Sequence, residues 1–158
     1  MIARAEMPSK RELVLQALHA RLTAVPLAKV ERNRLRPERI PPEGLIILRD
    51  GEISEPEVLL SPLSYIWTHT ARVEVFSASG DPDAHLDTLL TSIAAVLGVD
   101  PSLGGEIDQM EIGAPDFDGA APEGGPDVKA AIVPIRLVYE TSNPLTCRVY
   151  PQTQLPNL

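Results

Sequence analysis

The chain has 158 residues, of which 44% are hydrophobic, so a single domain with one core is expected and a disordered chain is not. The formal net charge is −8, and residues 1–79 carry 11 Lys and Arg against 10 Asp and Glu, whereas residues 80–158 carry 3 against 12. This imbalance indicates solubility, or else a surface that repels nucleic acid or meets a basic partner.

No targeting or membrane segment is expected. The first 12 residues lack the long apolar region of a signal peptide, and no apolar run approaches the about 20 residues that a membrane span needs. The single cysteine, Cys147, excludes an intrachain disulfide and is typical of a reducing compartment.

Two helices are predicted from their capping residues and apolar stripes. The first begins at Ser9, where Ser9 and Glu12 form a capping box, and Pro26 ends it. The second begins at Asp81, and Gly98 is expected to end it in a left-handed conformation. Leucines recur at helical spacing in both segments, so each helix has one face that can cover a sheet.

Five strands are predicted from apolar runs and from alternation. The Asp50-Gly51 dipeptide between two of them suits a tight hairpin with positive φ. Residues 55–64 form a return segment or a loop with two prolines. The predicted strands are residues 27–34, 45–48, 66–76, 106–112 and 129–141.

The stretch 129–141 has the clearest strand pattern, because its odd positions are apolar and its even positions include Arg136 and Glu140. Pro134 cannot donate a ladder hydrogen bond, so we expect this strand to lie at a sheet edge or to carry a bulge there. An edge strand is also where a neighbouring subunit can add itself. Pro134 and Arg136 are therefore candidate interface residues.

These elements predict the order α-β-β-β-α-β-β. The fold class is therefore α+β, with a mostly antiparallel sheet of four to five strands packed against two helices. Residues 1–158 form one domain, in which residues 145–158 show little periodicity and predict an extended C-terminal tail.

Four arginines lie within eight residues, at Arg32, Arg34, Arg36 and Arg39. Arginine clusters bind phosphates or carboxylates through their planar guanidinium groups. No aromatic residue lies between them, so a base-stacking surface is not expected. The cluster favours a solvated or subunit-contact patch, and a nucleic-acid contact is the alternative.

No chemical site is predicted. The acidic stretch from Asp116 to Asp127 departs from a calcium-binding loop at two positions, and the three histidines lack metal-ligand spacing. No phosphate-binding loop, dinucleotide fingerprint or nucleophile elbow occurs in the sequence. We therefore predict no catalytic residue, no metal ligand and no cofactor.

The order of these pieces resembles the tail-terminator, or tail-completion, proteins of long-tailed phages and of phage-like gene transfer agents. The resemblance covers roughly residues 10–144. The resembling pieces are RELVLQALHARL, VERNR, GLIILRDG, HTARVEVF, LDTLLTSIAAVL, QMEIGAP and AAIVPIRLVYETSNP.

The resemblance implies a subunit that is not an enzyme and that closes into a homo-oligomeric ring, typically a hexamer, on the last ring of the tail tube. Such a ring stops tube polymerisation, presents a surface to the head-side connector and lets DNA pass through its lumen without specific binding. The protein would lie at the head-proximal end of the virion tail, after assembly in the host cytoplasm.

In such a ring, the arginine cluster is expected to contact a neighbouring subunit or the tube. The acidic residues are expected to face the lumen or an axial face, where negative charge keeps DNA from sticking. These acidic residues are Glu106, Asp108, Glu111, Asp116, Asp118, Glu123 and Asp127.

Two other functions stay open. The chain is alternatively another neck protein, such as a head-closure or connector component. From a different class, it is a small-ligand-binding or enzymatic α+β domain, and this function predicts a deep pocket with converging polar groups.

Overall fold

The structure, a computed structural model, describes residues 8–35, 39–78, 80–117 and 128–145. The six strands form one sheet with the order β1-β2-β4-β6-β5, and β3 pairs with β4 outside this path. All pairs are antiparallel except β1 with β2. The elements in chain order are α1 (Lys10–Leu22), β1 (Lys29–Arg32), β2 (Leu45–Ile53), β3 (Glu57–Leu60), β4 (Leu63–Ser77), α2 (Pro82–Gly98), β5 (Gln109–Ile112) and β6 (Lys129–Thr141).

The predicted α+β fold with two helices is confirmed, but the sheet has six strands. The additional strand is β3, which lies in the stretch predicted as a return segment or loop. It pairs with residues 63–66 of β4, whereas β2 pairs with residues 69–76 on the same side of β4. Strands β2 and β3 therefore follow one another along β4, and residues 57–66 form the end of a long hairpin, here called the distal hairpin.

The Asp50-Gly51 dipeptide lies inside β2, so the prediction of a tight hairpin at this position is wrong. The register with β4 shifts by one residue between Arg49 and Glu52, which defines a β-bulge. Gly51 has the expected positive φ, at 76°, and a Cβ there would lie 1.9 Å from the carbonyl oxygen of Thr70. Hairpin turns and bulges both need this glycine, so the dipeptide alone does not distinguish them.

Strand β6 has the predicted bounds, but it is not at the sheet edge, because β4 pairs along one side and β5 along the other. The edge alternative is therefore wrong, and β6 does not carry the alternative bulge either, because its register with β4 is unbroken through Pro134. The extra residue lies in the segment that follows β5. Ile112 pairs with Ile135 and Asp116 pairs with Ile132. The chain therefore advances four residues after β5 while β6 advances three. Pro134 lies at this break, where its carbonyl accepts a hydrogen bond of 2.8 Å from Gly113, so the missing N–H falls in an interrupted part of the ladder.

The main core lies between the helices and one face of the sheet. Each such buried side chain contributes about 1.5–3 kcal/mol, which is offset by chain entropy. On the opposite face, no helix packs in the described part of the chain, and Ile40 packs against a smaller buried cluster near the start of β2. The main core includes Leu15, Leu18, Val73, Val75, Leu89, Ile93, Val133, Ile135 and Leu137.

Both predicted helix starts are confirmed. The side chains of Ser9 and Asp81 each accept a hydrogen bond of 3.2 Å from the backbone N–H three residues further on. The expected left-handed end at Gly98 is wrong, because Gly98 lies within α2 and Val99 after it is right-handed. The left-handed residues that reverse the chain come later, at positions 103–105.

Candidate functional site

Arg32, the first of the four candidate arginines, is paired within the chain. Its guanidinium donates two hydrogen bonds to the Glu12 carboxylate, at 2.6 and 2.9 Å, and a third from Nε to Asp50 at 3.1 Å. These bonds lower the pKa of Glu12 and raise the pKa of Arg32. Glu12 lies on α1 and Asp50 at the β2 bulge, so Arg32 joins three elements of the fold.

This arrangement also changes the expected capping box. The Glu12 carboxylate, which the box would direct to the Ser9 amide, instead accepts hydrogen bonds from Arg32 and Gln16. The sequence pattern identified the helix start correctly, but a partner 20 residues away takes the carboxylate. Arg32 and Glu12 therefore have a structural role, because the guanidinium and the carboxylate already form hydrogen bonds within the chain.

Arg34 and Arg39 are the described arginines of the cluster that lie open to a partner. The Arg34 side chain is 46% exposed, and Nη1 donates to the two Glu31 oxygens at 2.6 and 2.7 Å. The pairing lowers the pKa of Glu31 and raises the pKa of Arg34. Arg39 is exposed, and Arg36 lies outside the described residues.

Arg136 lies exposed on the sheet face without helices, with Nη1 3.6 Å from Oε2 of Glu111 on the neighbouring strand. From the sequence, these two residues were expected on different surfaces, Arg136 at an interface and Glu111 on an acidic lumen or axial face. In the fold they form one cross-strand pair. Pro134 is half-buried two residues before Arg136 on the same strand. The predicted interface around Arg136 therefore includes a carboxylate from β5 as well as the arginine.

The described acidic residues of the predicted lumen surface belong to both sides of the sheet. Glu106 lies beside the helix layer, where it pairs with Lys10 at 2.9 Å, whereas Glu111 lies on the opposite face. Asp108 and Asp116 are exposed. The assignment of these residues to a lumen or an axial face stays a prediction. Outside the described residues lie Asp118, Glu123 and Asp127.

The distal hairpin carries an exposed apolar surface that the sequence reasoning missed. Val58, Leu59, Leu60 and Leu63 are 46, 41, 82 and 51% exposed, and none of them belongs to a buried cluster. The signal was present in the sequence, because this apolar run between Pro56 and Pro62 fits neither a helix face nor simple alternation. Exposed apolar patches on a folded protein mark interaction sites.

The base of the distal hairpin is fixed to β6. The Tyr65 and Trp67 rings stack with their centroids 6.4 Å apart, and Trp67 Nε1 donates a hydrogen bond of 2.7 Å to Thr141. The hairpin and the residues just before it carry negative charge, because residues 53–66 contain Glu55 and Glu57 and no Lys or Arg. The distal hairpin is therefore an anchored, acidic and apolar projection.

A groove of about 300 Å³ opens beside α1. Arg21 is the charged side chain among the residues that line it, and it pairs with Asp100 at 3.6 Å. The converging polar groups of a small-ligand site are absent from this lining. The other lining residues are Ala17, Ala20, Ala24, Leu103 and Gly104.

Two kinds of site are absent from the residues that the structure describes. No group of three or more His, Cys, Asp or Glu side chains there is placed to hold a metal ion. Neither helix is both long enough and apolar enough to cross a membrane.

The comparisons with known proteins give a likeness of fold. No protein-family model matches the sequence, and no curated protein matches it. Among solved structures, the chain is similar to the sheath/tube terminator of PVC, an extracellular contractile injection system, solved by cryo-EM in the extended state. The TM-score is 0.50 at 10% identity, over 92% of this chain and 61% of that chain. This chain therefore spans less than two thirds of that protein, and its α+β arrangement is one that a terminator also adopts.

Proposed function

We propose that this protein is a structural tail terminator. In this role it caps the head-proximal end of a tail tube as a homo-oligomeric ring, stops tube polymerisation and provides the surface to which the head-side connector binds. The observation that carries the proposal is the fold shared over 92% of the chain with a sheath/tube terminator. The order of sequence pieces supports the same role independently.

The surfaces of the protein suit assembly. The distal hairpin exposes large apolar side chains, and the groove beside α1 lacks converging polar groups. A closed ring, hexameric in this proposal, needs two different patches on each copy that fit each other head to tail. The protein performs no catalytic step in this role, and DNA passes through the lumen without specific binding because acidic residues do not attract phosphates.

The test is tube length in particles assembled without the protein. Deleting its gene in the strain that produces the particles should give tubes of variable and excessive length, because nothing then stops polymerisation. Tube lengths measured by electron microscopy, with the gene restored from a plasmid as the control, give the result. Tubes of normal length that stay unjoined to heads would instead indicate another neck protein.

Native mass spectrometry of the purified protein tests the ring separately. A ring predicts a mass that is a multiple of the 17.1 kDa chain, alone or when bound to tube ends. A chain that stays single under both conditions and turns over or binds a metabolite would contradict the proposal in favour of a ligand-binding or enzymatic domain.

A further inference from the structure

We infer that the distal hairpin of one copy docks on a second copy of this chain, at three exposed residues, Arg34, Leu35 and Arg39, here together called the basic segment. This inference rests on the proposed ring, because it names the contact between adjacent copies. It assigns a role to a hairpin whose apolar side chains stay exposed in a single chain.

The distal hairpin is incompletely covered in a single chain. Leu60 is 82% exposed, and β3 pairs with β4 alone among the strands of the described ranges. A short apolar edge strand of this kind is a place where another chain adds itself unless something covers it. The pairing of Tyr65 and Ile66 with β6 and the hydrogen bond from Trp67 to Thr141 hold the base of the hairpin in place, so little ordering entropy would be lost on docking.

The charge of the hairpin selects its partner. Glu55 and Glu57 are exposed and form no ion pair with any residue that the structure describes, and no Lys or Arg lies between residues 50 and 71. Two such hairpins repel each other, because placing like charges opposite one another across an interface costs roughly several kcal/mol of binding free energy. The surface that receives the hairpin must therefore combine an apolar contact with positive charge.

The basic segment has this combination. Leu35 is 87% exposed and follows Arg34, whose guanidinium is about half-exposed. Arg39 is exposed and forms no ion pair with a described residue. One chain therefore carries an acidic apolar projection and a separate basic apolar segment, which is the pair of unlike patches that a head-to-tail ring requires.

Charge swapping between two proteins tests the contact. One variant carries Glu55→Arg and Glu57→Arg in the hairpin, and the other carries Arg34→Glu and Arg39→Glu in the basic segment. Each variant alone should lose self-association by at least about tenfold, because its own patches now repel. The 1:1 mixture should assemble again, because the reversed hairpin then meets the reversed segment and the two unchanged patches meet each other.

Sedimentation velocity gives the assembly state, and circular dichroism checks that each variant is folded, which is expected because all four positions are exposed. The matched control is Asp83→Arg with Asp87→Arg, two exposed positions on α2 outside both patches, which should assemble like the unchanged protein. Either swap variant assembling normally, or a mixture that stays dissociated, would overturn the inference.

Cysteine cross-linking tests the same contact without charge changes. In a Cys147→Ser background, a Leu60→Cys chain mixed with a Leu35→Cys chain should form a mixed disulfide dimer under mild oxidation. Val99→Cys replaces Leu35→Cys as the control, because Val99 is also exposed, at 74%. Equal cross-linking to position 99, or mainly between two Leu60→Cys chains, would overturn the inference.

The two proposals fail in different ways. Normal tube-length control by a protein whose position 60 never cross-links to position 35 would overturn this contact and leave the terminator role standing. A clear cross-link in a protein whose deletion leaves tube length unchanged would overturn the terminator role and support the contact.

Discussion

Gly51 is the residue at which the backbone of the long hairpin depends most directly on having no side chain. Its φ is 76°, and a methyl group there would lie 1.9 Å from the Thr70 carbonyl oxygen and 2.9 Å from the Cα of Ala71. Gly51→Ala should lower the free energy of unfolding by about 2–4 kcal/mol, since left-handed strain and overpacking add. Urea denaturation measures the change.

Gly98→Ala is the matched control for this substitution. Gly98 ends α2, and a Cβ there would meet no atom within 4 Å. The change should leave stability equal or raise it by about 0.5–1 kcal/mol, because alanine is the better helix former. A Gly51→Ala protein as stable as the Gly98→Ala protein would contradict the role assigned to the bulge.

His69 is a buried titratable side chain next to the same bulge. It is 1% exposed, and its Nε2 lies against the Asp50 carbonyl oxygen, which can only accept, so Nε2 carries the proton. Nδ1 then accepts from the Tyr139 hydroxyl at 3.1 Å. Burial is the main cause that lowers the pKa of His69, against the smaller opposing effect of Asp50. The ring is therefore held neutral in the folded protein.

This burial predicts a loss of stability on mild acidification. Above the unfolded-state pKa of about 6.5, His69 is neutral in both states and its contribution is fully present. As the pH falls through that value, the unfolded chain binds a proton that the folded chain resists, so the free energy of unfolding decreases.

Urea denaturation at intervals between about pH 7.5 and 5 should show this slope. His69→Gln should flatten this slope. Glu12 and Glu31, whose pKa values are lowered from 4.5 by arginine partners, act in a separate window at lower pH. An unchanged slope in His69→Gln would argue against a neutral buried ring.

At the scale of elements, the contact of Arg32 joins α1, β1 and the β2 bulge. Arg32→Lys keeps the charge but loses the two-pronged contact with Glu12 and the Nε bond to Asp50. We expect a loss of about 1–2 kcal/mol, which is modest because the pair is partly exposed. Arg11→Lys, at an exposed position of α1, should change stability by less than about 0.5 kcal/mol. Equal thermal unfolding midpoints for the two variants would contradict this role.

The elements differ in how far local sequence determines them. Strand β6 and helix α2 were predicted well, because alternation over 13 residues and an aspartate cap followed by a leucine stripe are local signals. Strand β3 was missed because its four residues pair only with β4 and lie between two prolines, which weaken a strand pattern. The irregular pairing beside Pro134 depends on the segment that follows β5. The sequence of β6 alone therefore left an edge position and a bulge as alternatives.

At the scale of the whole molecule, the sequence predicted the fold class but not the grouping of the candidate site. The arginine cluster is continuous in sequence, yet Arg32 is satisfied by Glu12 and Asp50, which lie 20 and 18 residues away. Arg136 and Glu111 were assigned to separate surfaces and form a pair across two strands. Charge is visible in a sequence, but pairing depends on tertiary distances.

The two helices cover one face of the sheet, while the described part of the chain places no helix on the other. The sheet is therefore two-sided: one face is committed to the helices of its own chain, and the strand side chains of the other face are left for whatever surrounds the protein.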